Sequence, residues 1–341
     1  MILVAYGTRP EIIKLFPLVR ELKRQQIPFK TLFTGQHLDL YQDVKDLMPE
    51  PDYKLDNTSE FCSSLAESYC RICNSVEKLI SDGSFRLIII QGDTTTACAI
   101  AKVAFYNQIK VAHVEAGLRT YDISNPFPEE ANRRVISLVA DINFAPTQCA
   151  YQNLKNEGAI NIYLTGNTIV DALDCFEIDI SFDNLVLITI HRRENHEKME
   201  AIFSQLNRAA IEYPEINFIF PIHPNPNVQK YRDSLRGNNL KVIEPLGYQE
   251  MLGYIGRAMC IISDSGGLQE EAVYFGKRIL IVRNTTERPE TIDSGLGKLV
   301  DLDIVKHLDW AFTKTDLPDK NPFGDGQSCA RIVEIIKPRS A

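Results

Sequence analysis

Short apolar runs rich in Ile, Val and Leu recur along the chain, and most end in a glycine or a small polar turn before a stretch with helical spacing. Twelve runs fit this description: Met1–Tyr6, Phe29–Thr34, Leu87–Gln91, Lys110–Val114, Ile142–Ala145 and Ile162–Leu164, then Leu185–Ile190, Ile216–Ile222, Lys241–Ile243, Cys260–Ser263, Arg278–Val282 and Lys298–Val300. They show little alternation of apolar and polar residues, which is how strands buried on both faces of a parallel sheet read. Between them the period is helical, as at Leu15, Leu18, Val19 and Leu22. Strands alternating with helices imply βαβ units. Six runs precede a pause over Asn167 to Asn184 and six follow it. The expected fold class is therefore α/β, with two Rossmann-like doubly wound domains, a seam near residue 170 and a central cleft. A chain of 341 residues suits that count. A short amphipathic helix is expected at the end, carrying Cys329, Ile332, Val333 and Ile336. Ligands belong at the carboxyl ends of the strands.

Composition narrows the partners. Lys plus Arg number 37 against 45 for Asp plus Glu, a net charge of −8. A nonspecific nucleic-acid binder needs the opposite sign. No apolar run approaches the roughly 18 residues of a membrane span. Eight cysteines in a chain of this length do not make a disulfide scaffold. Cys70 and Cys73 form a C-x-x-C pair on a helical pattern (Leu65, Tyr69, Ile72, Val76, Leu79), without a second pair at zinc spacing. Buried or half-buried thiols are expected there. Reduced cysteines and the absence of an export signal point to the cytoplasm. An anionic ligand would require cations gathered locally.

Polar residues crowd the carboxyl ends of the runs. Gly7-Thr8-Arg9-Pro10-Glu11 and Lys14 follow the first. Pro10 fits a helix start, and the N–H groups there with Arg9 and Lys14 can hold phosphate or carboxylate. Three carboxylates, Asp93, Glu115 and Glu129, are candidates for one wall of the cleft. Asp93 could instead cap its helix, and Glu115 could pair with Arg119 or Arg133. Neighbouring carboxylates can have their pKa values pushed apart, which suits acid–base work. His191, in His-Arg-Arg-Glu-Asn, and His223, in His-Pro-Asn-Pro, can serve as acid–base groups, phosphate donors or structural residues. They lack the helical spacing of a catalytic metal site. The stretch Ser263-Asp264-Ser265-Gly266-Gly267-Leu268-Gln269-Glu270-Glu271 lies between a strand and a helix. Its glycines let backbone approach a ligand, its helix start offers N–H groups to a diphosphate, and Glu271 is placed to accept ribose hydroxyls. It is not a Walker loop, and no G-x-G-x-x-G follows the first strand, so a nicotinamide dinucleotide is not expected. Arg192 and Arg288 complete the set of candidate cations.

Taken in order, these motifs resemble the non-hydrolysing UDP-N-acetylglucosamine 2-epimerase family. The resemblance runs through GTRPEIIK (7–14), TGQH (34–37), GDTTT (92–96), HVEAGLRT (113–120), PFPEEANRR (126–134), TGNTIVDAL (165–173), HRREN (191–195), HPNP (223–226), SDSGGLQEEA (263–272), TTERPE (285–290) and NPFGDGQ (321–327). It implies a glycosyltransferase-B-like fold in which residues 1–169 and 322–341 form one domain, with a returning C-terminal helix, and residues 170–321 form the UDP-binding one. It implies a homodimer that needs neither metal nor nicotinamide cofactor. Asp93, Glu115, Glu129 and His191 match its catalytic positions. Arg9, Lys14, Arg133, Ser265, Gly266, Gly267, Glu271 and Arg288 match substrate contacts, and Leu246 to Met251 match the uracil-side loop. Gln36, His37 and Arg71 resemble a site where some members bind a second substrate molecule as activator. Regulated members usually carry Gln where this chain has Asp39.

The implied reaction interconverts UDP-GlcNAc and UDP-ManNAc for polysaccharide synthesis. UDP leaves C1 as the C2 proton is taken, giving 2-acetamidoglucal, and adds back after protonation on the other face. Hydrolysing relatives, which release free N-acetylmannosamine, typically read G-T-R-[AP]-[DE]-[YF]-[GS] near the start; GTRPEIIK favours the non-hydrolysing branch. Alternatives are an epimerase of a related UDP-2-acetamido sugar, a glycosyltransferase on the same fold, and a non-catalytic nucleotide-sugar sensor.

Overall fold

The computed structural model describes residues 1–35, 44–55, 64–81, 83–315 and 318–337. The chain divides into two compact units, Met1–Cys175 with Phe323–Ala341, and Phe176–Pro322. The chain leaves the first unit after Cys175, beyond the helix Thr168–Leu173.

In the first unit the described strands are β1 (Ile2–Tyr6), β2 (Phe29–Phe33), β3 (Tyr53–Lys54), β4 (Leu87–Gln91), β5 (Lys110–Val114), β6 (Ile142–Ala145) and β7 (Ile162–Leu164). They form one parallel sheet in the order β3-β2-β1-β4-β5-β6-β7. β1 and β4 are buried along their whole length, which explains their unbroken apolar sequences. Ile2 pairs with Phe29 on one side and with Leu87 on the other. The order therefore reverses at β1, and the carboxyl ends of β1 and β4 lie side by side at a switch point. β3 was not among the expected strands. It has two residues, paired through Tyr53 and Lys54 with Leu32 and Phe33, too few to carry a period.

Helix Thr95–Tyr106 packs its alanines Ala97, Ala99, Ala101 and Ala104 into the core beside Ile88, Ile90, Ile72 and Val76. Small side chains let this helix lie buried on most of its circumference. Each Ile or Val in such a core contributes roughly 1.5–3 kcal/mol through burial. The C-terminal helix Ser328–Ile336 buries Cys329, Ile332, Val333 and Ile336 within the first unit, as its spacing indicated. Its amino end is capped by another helix: Asp171 accepts N–H groups from Ser328 at 3.2 Å and Cys329 at 2.8 Å. Carboxylates are favoured at helix amino ends.

The second unit repeats the plan with β8 (Leu185–Thr189), β9 (Asn217–Pro221), β10 (Leu240–Ile243), β11 (Cys260–Ser263), β12 (Arg278–Ile281) and β13 (Gly297–Leu299). The parallel order is β10-β9-β8-β11-β12-β13, reversing at β8. Val186, Ile188, Phe203, Phe218, Phe220, Ile262 and Leu280 fill one face of the sheet. The switch point lies between the ends of β8 and β11, which pair from Val186↔Cys260 to Thr189↔Ser263.

Cys73 is half-buried, but Cys70 is exposed, against expectation, because its position on helix Leu65–Ile80 turns to solvent. Among the described residues no helix is long and apolar enough to cross a membrane.

Candidate active site

Each unit presents chemistry at its own switch point. In the first, Thr8 caps helix Arg9–Arg24 and Pro10 occupies its first turn. The helix is held to its neighbours by Glu11, which accepts the N–H groups of Gly7 (2.8 Å) and Thr8 (2.7 Å) and, on its other oxygen, the Thr94 hydroxyl (2.7 Å). Burial raises the Glu11 pKa against these hydrogen bonds, which favour the charged form. Glu11 thus ties the turn after β1 to the turn after β4. Arg9, next to this turn, is half-buried.

Two turns of chain converge on Glu115. Lys14 makes a buried ion pair with its Oε2, and Asn167 Nδ2 donates to the same oxygen at 3.0 Å. Glu115 has φ of 66°, a left-handed conformation that costs a non-glycine residue roughly 1–2 kcal/mol. Such strain persists where the surroundings over-determine it, often at functional sites. Of the arginines weighed as its partners, Arg133 pairs with Asp93 and Glu130. Arg119 is bound by Glu157, at 2.9 and 2.6 Å.

Asp93 does not cap its helix either; Thr94 does, accepting Ala97 N–H at 3.0 Å. The Asp93 carboxylate is paired with Arg133, whose Nε lies 3.1 Å away. Arg133 also donates to Glu130 at 2.9 Å, so its buried guanidinium joins two carboxylates. Asn132 Nδ2 reaches the Asp93 carbonyl at 2.9 Å. Glu129, Asn132 and Arg133 stand at i, i+3 and i+4 on helix Glu129–Val139, hence on one face. Two of the three grip Asp93, so Glu129 shares the face that addresses it.

In the second unit, Asp264 is the organiser. It is fully buried and accepts N–H groups from His191 (3.1 Å) and Arg192 (2.8 Å) and the Asn195 amide (2.9 Å). His191 Nδ1 lies 3.5 Å from its carboxylate, and the His191 ring stacks on His223 with centroids 5.0 Å apart. Burial lowers the His191 pKa while Asp264 pulls it upward. His223 Nδ1 accepts the Asn225 N–H at 3.1 Å.

Ser265 stands at the N-cap position of helix Gly266–Tyr274 without a side-chain capping bond, and its own N–H donates to Ser263 Oγ at 2.9 Å. A Cβ on Gly266 would meet Arg288 Nη1 at 2.7 Å, Glu287 Oε1 at 2.9 Å and Arg192 Nη2 at 3.3 Å. Glycine is therefore what lets two guanidinium groups close on the helix start. A Cβ on Gly267 would meet nothing within 4 Å, so a ligand can approach there. Arg288 is paired with Glu270 (Nε to Oε1, 2.6 Å) and with Glu287, and Arg283 bonds Glu287 in turn at 3.0 Å. Glu271 accepts the Tyr248 hydroxyl at 3.0 Å, which links the SGG helix to the stretch Leu246–Met251, a loop only as far as Gly247 and helix from Tyr248 onward.

A family model described as UDP-N-acetylglucosamine 2-epimerase matches residues 20–337. The chain belongs to the UDP-N-acetylglucosamine 2-epimerase family. Its enzyme class is that of an isomerase. The UDP-N-acetylglucosamine 2-epimerase of Campylobacter jejuni is 39% identical over 371 aligned residues, covering 98% of this chain and 97% of the relative. The crystal structure of the Neisseria meningitidis UDP-GlcNAc 2-epimerase bound to UDP-GlcNAc superposes with a TM-score of 0.90 at 34% identity, covering 99% of this chain and all of that one. A calicheamicin glycosyltransferase, 11% identical with a TM-score of 0.61 over 98% and 97% of the two chains, shares the fold alone. The glycosyltransferase-B-like architecture follows.

Among epimerase positions singled out from sequence, the first unit pairs Asp93 with Arg133 and Lys14 with Glu115, and the second sets Arg288 against Gly266 and holds His191 on Asp264, the residue before Ser265. Arg71 lies on an exposed helix surface and pairs with Glu67 one turn away. Gln36 and His37 lie outside the described residues. Asp264, Asn132, His113 and Tyr248 were not singled out. Asp264 had a signal, since it stands between a buried strand and the SGG turn, where an acceptor for a following loop is needed.

Proposed function

We propose that this chain is a non-hydrolysing UDP-N-acetylglucosamine 2-epimerase interconverting UDP-GlcNAc and UDP-ManNAc. What carries the reading is the division of labour between switch points: carboxylates at the first unit's, guanidiniums and an open helix start at the second's. The C2 hydrogen has no adjacent carbonyl, so direct removal to a carbanion is implausible. In the proposed route the C1–O bond breaks and its electrons leave on UDP, while a carboxylate takes the C2 proton and the C1=C2 bond of 2-acetamidoglucal forms. Protonation of C2 on the opposite face and return of the UDP oxygen to C1 complete the exchange. Asp93, Glu115 and Glu129 do the proton work. Gly266, Gly267, Arg192 and Arg288 receive the diphosphate, and preorganised donors there stabilise the leaving group. His191 acts on the leaving-group side and Glu271 on the ribose. Arg9 and Lys14 bear on substrate from the first unit, and Arg133 acts through its grip on Asp93.

The epimerase needs no metal or nicotinamide, acts in the cytoplasm, and feeds polysaccharide synthesis with the ManNAc sugar. It works as a homodimer through helices Thr95–Tyr106 and Glu129–Val139, which pack together and expose Tyr106 (72%) and Leu138 (85%).

The test is NMR of purified protein with UDP-GlcNAc. UDP-ManNAc should form to a ratio reached equally from either epimer, with total UDP-sugar conserved. Stoichiometric free N-acetylmannosamine and UDP would instead assign a hydrolysing enzyme, and tight binding without turnover a sensor.

A further inference from the structure

The turn Gly92–Asp93 is gripped from two elements at once. Gly92 has φ of 73°, and its N–H donates to Val114 at 3.0 Å. Its carbonyl lies 2.7 Å from His113 Nε2 on β5. The next carbonyl, that of Asp93, accepts from Asn132 at 2.9 Å, and the Asp93 carboxylate is paired with Arg133. A carbonyl can only accept, so His113 carries its proton on Nε2. The ring is fully buried, and burial pushes its pKa down to about 4, with Arg119 acting in the same direction. At neutral pH it is therefore uncharged. Its one described polar contact is the Gly92 carbonyl.

The helix after this turn is already capped by Thr94. Neither His113 nor Asn132 is needed to start it. What they do fix is the orientation of two successive peptide planes, and hence the direction in which the Asp93 side chain leaves the backbone. We propose that His113 and Asn132 are positioning residues for the Asp93 carboxylate in epimerisation. The proposal rests on the reading of Asp93 as a proton-transfer group. Asn132 has a second consequence. It stands three residues after Glu129 on one helix face, so its bond to Asp93 also sets the spacing of those two carboxylates. Misplacement of a reacting group by about 1 Å can cost on the order of a hundredfold in rate.

The experiment compares Asn132→Ala, His113→Leu and His113→Gln with wild type, for kcat, KM and the Kd of UDP, with Asp93→Asn in parallel. Asn132→Ala and His113→Leu should lower kcat about tenfold or more while UDP affinity stays within about twofold. His113→Gln, which keeps an N–H donor near the Gly92 carbonyl, should recover most of the loss. Placed on Asp93→Asn, the Asn132 change should have little further effect, because the group it aims is gone. Wild-type kcat in Asn132→Ala, or UDP affinity falling in step with kcat, would overturn the proposal. Asn132 is half-buried, so this variant decides the matter even if His113→Leu does not fold. If Asp93→Asn itself turned over normally, the reading of Asp93 would be the one to fail.

Discussion

Lys14 and Glu115, 101 residues apart in sequence, meet as a buried ion pair, each side chain only 6% exposed. The pair joins the first helix to the end of β5, and Asn167 from a third element completes it. Lys14→Met leaves a carboxylate buried without its ammonium partner. Breaking a buried pair in this way costs about 3–5 kcal/mol. Urea denaturation should show a loss of that order and turnover should collapse. A loss below about 1 kcal/mol would mean the pair does not anchor Glu115.

Gly266→Ala places a methyl against Arg288 and Glu287 at the helix start. The far ends of those side chains can shift, so the fold should survive. The Kd for UDP should rise at least about tenfold, or ~1.4 kcal/mol. Isothermal titration checks this, and unchanged affinity would remove Gly266 from the diphosphate site.

His113 makes stability depend on pH. Its pKa falls from 6.5 to about 4 on folding. Between those values the unfolded chain binds the extra proton, so this group's contribution is present above pH 6.5 and is lost as pH falls towards 4. From pH 7 to pH 5 the loss is about 2 kcal/mol. His113→Gln should therefore lose about that much less stability than wild type over the same interval. Equal losses in urea titrations would show that the ring is not buried neutral.

Leu138→Glu puts a charge on the exposed apolar face of helix Glu129–Val139. Analytical ultracentrifugation should find wild type as a dimer and this variant as a monomer. A monomeric wild type would end the dimer reading.

The architecture was legible because strands buried on both faces leave continuous apolar runs and turns leave glycine. β3 was not, since two residues have no period and it exists only through pairing with Leu32 and Phe33. The motif residues Asp93, Glu115 and Gly266 stood out by chemical type and position after strands. Their supports did not. Arg133 was weighed as a partner of Glu115, and the packed helix brings it to Asp93 and Glu130. His113 looked like one more strand residue, because its described polar contact is with a carbonyl on the neighbouring turn. Glu11 had no role assigned within its motif, and it bonds Thr94, 83 residues away.

The most direct test of the account is the epimerisation run in deuterated water and followed by proton NMR. Elimination and re-addition of UDP predict deuterium at C2 of every UDP-ManNAc formed, with free UDP staying at trace levels. UDP-ManNAc that keeps its original hydrogen at C2 would contradict it.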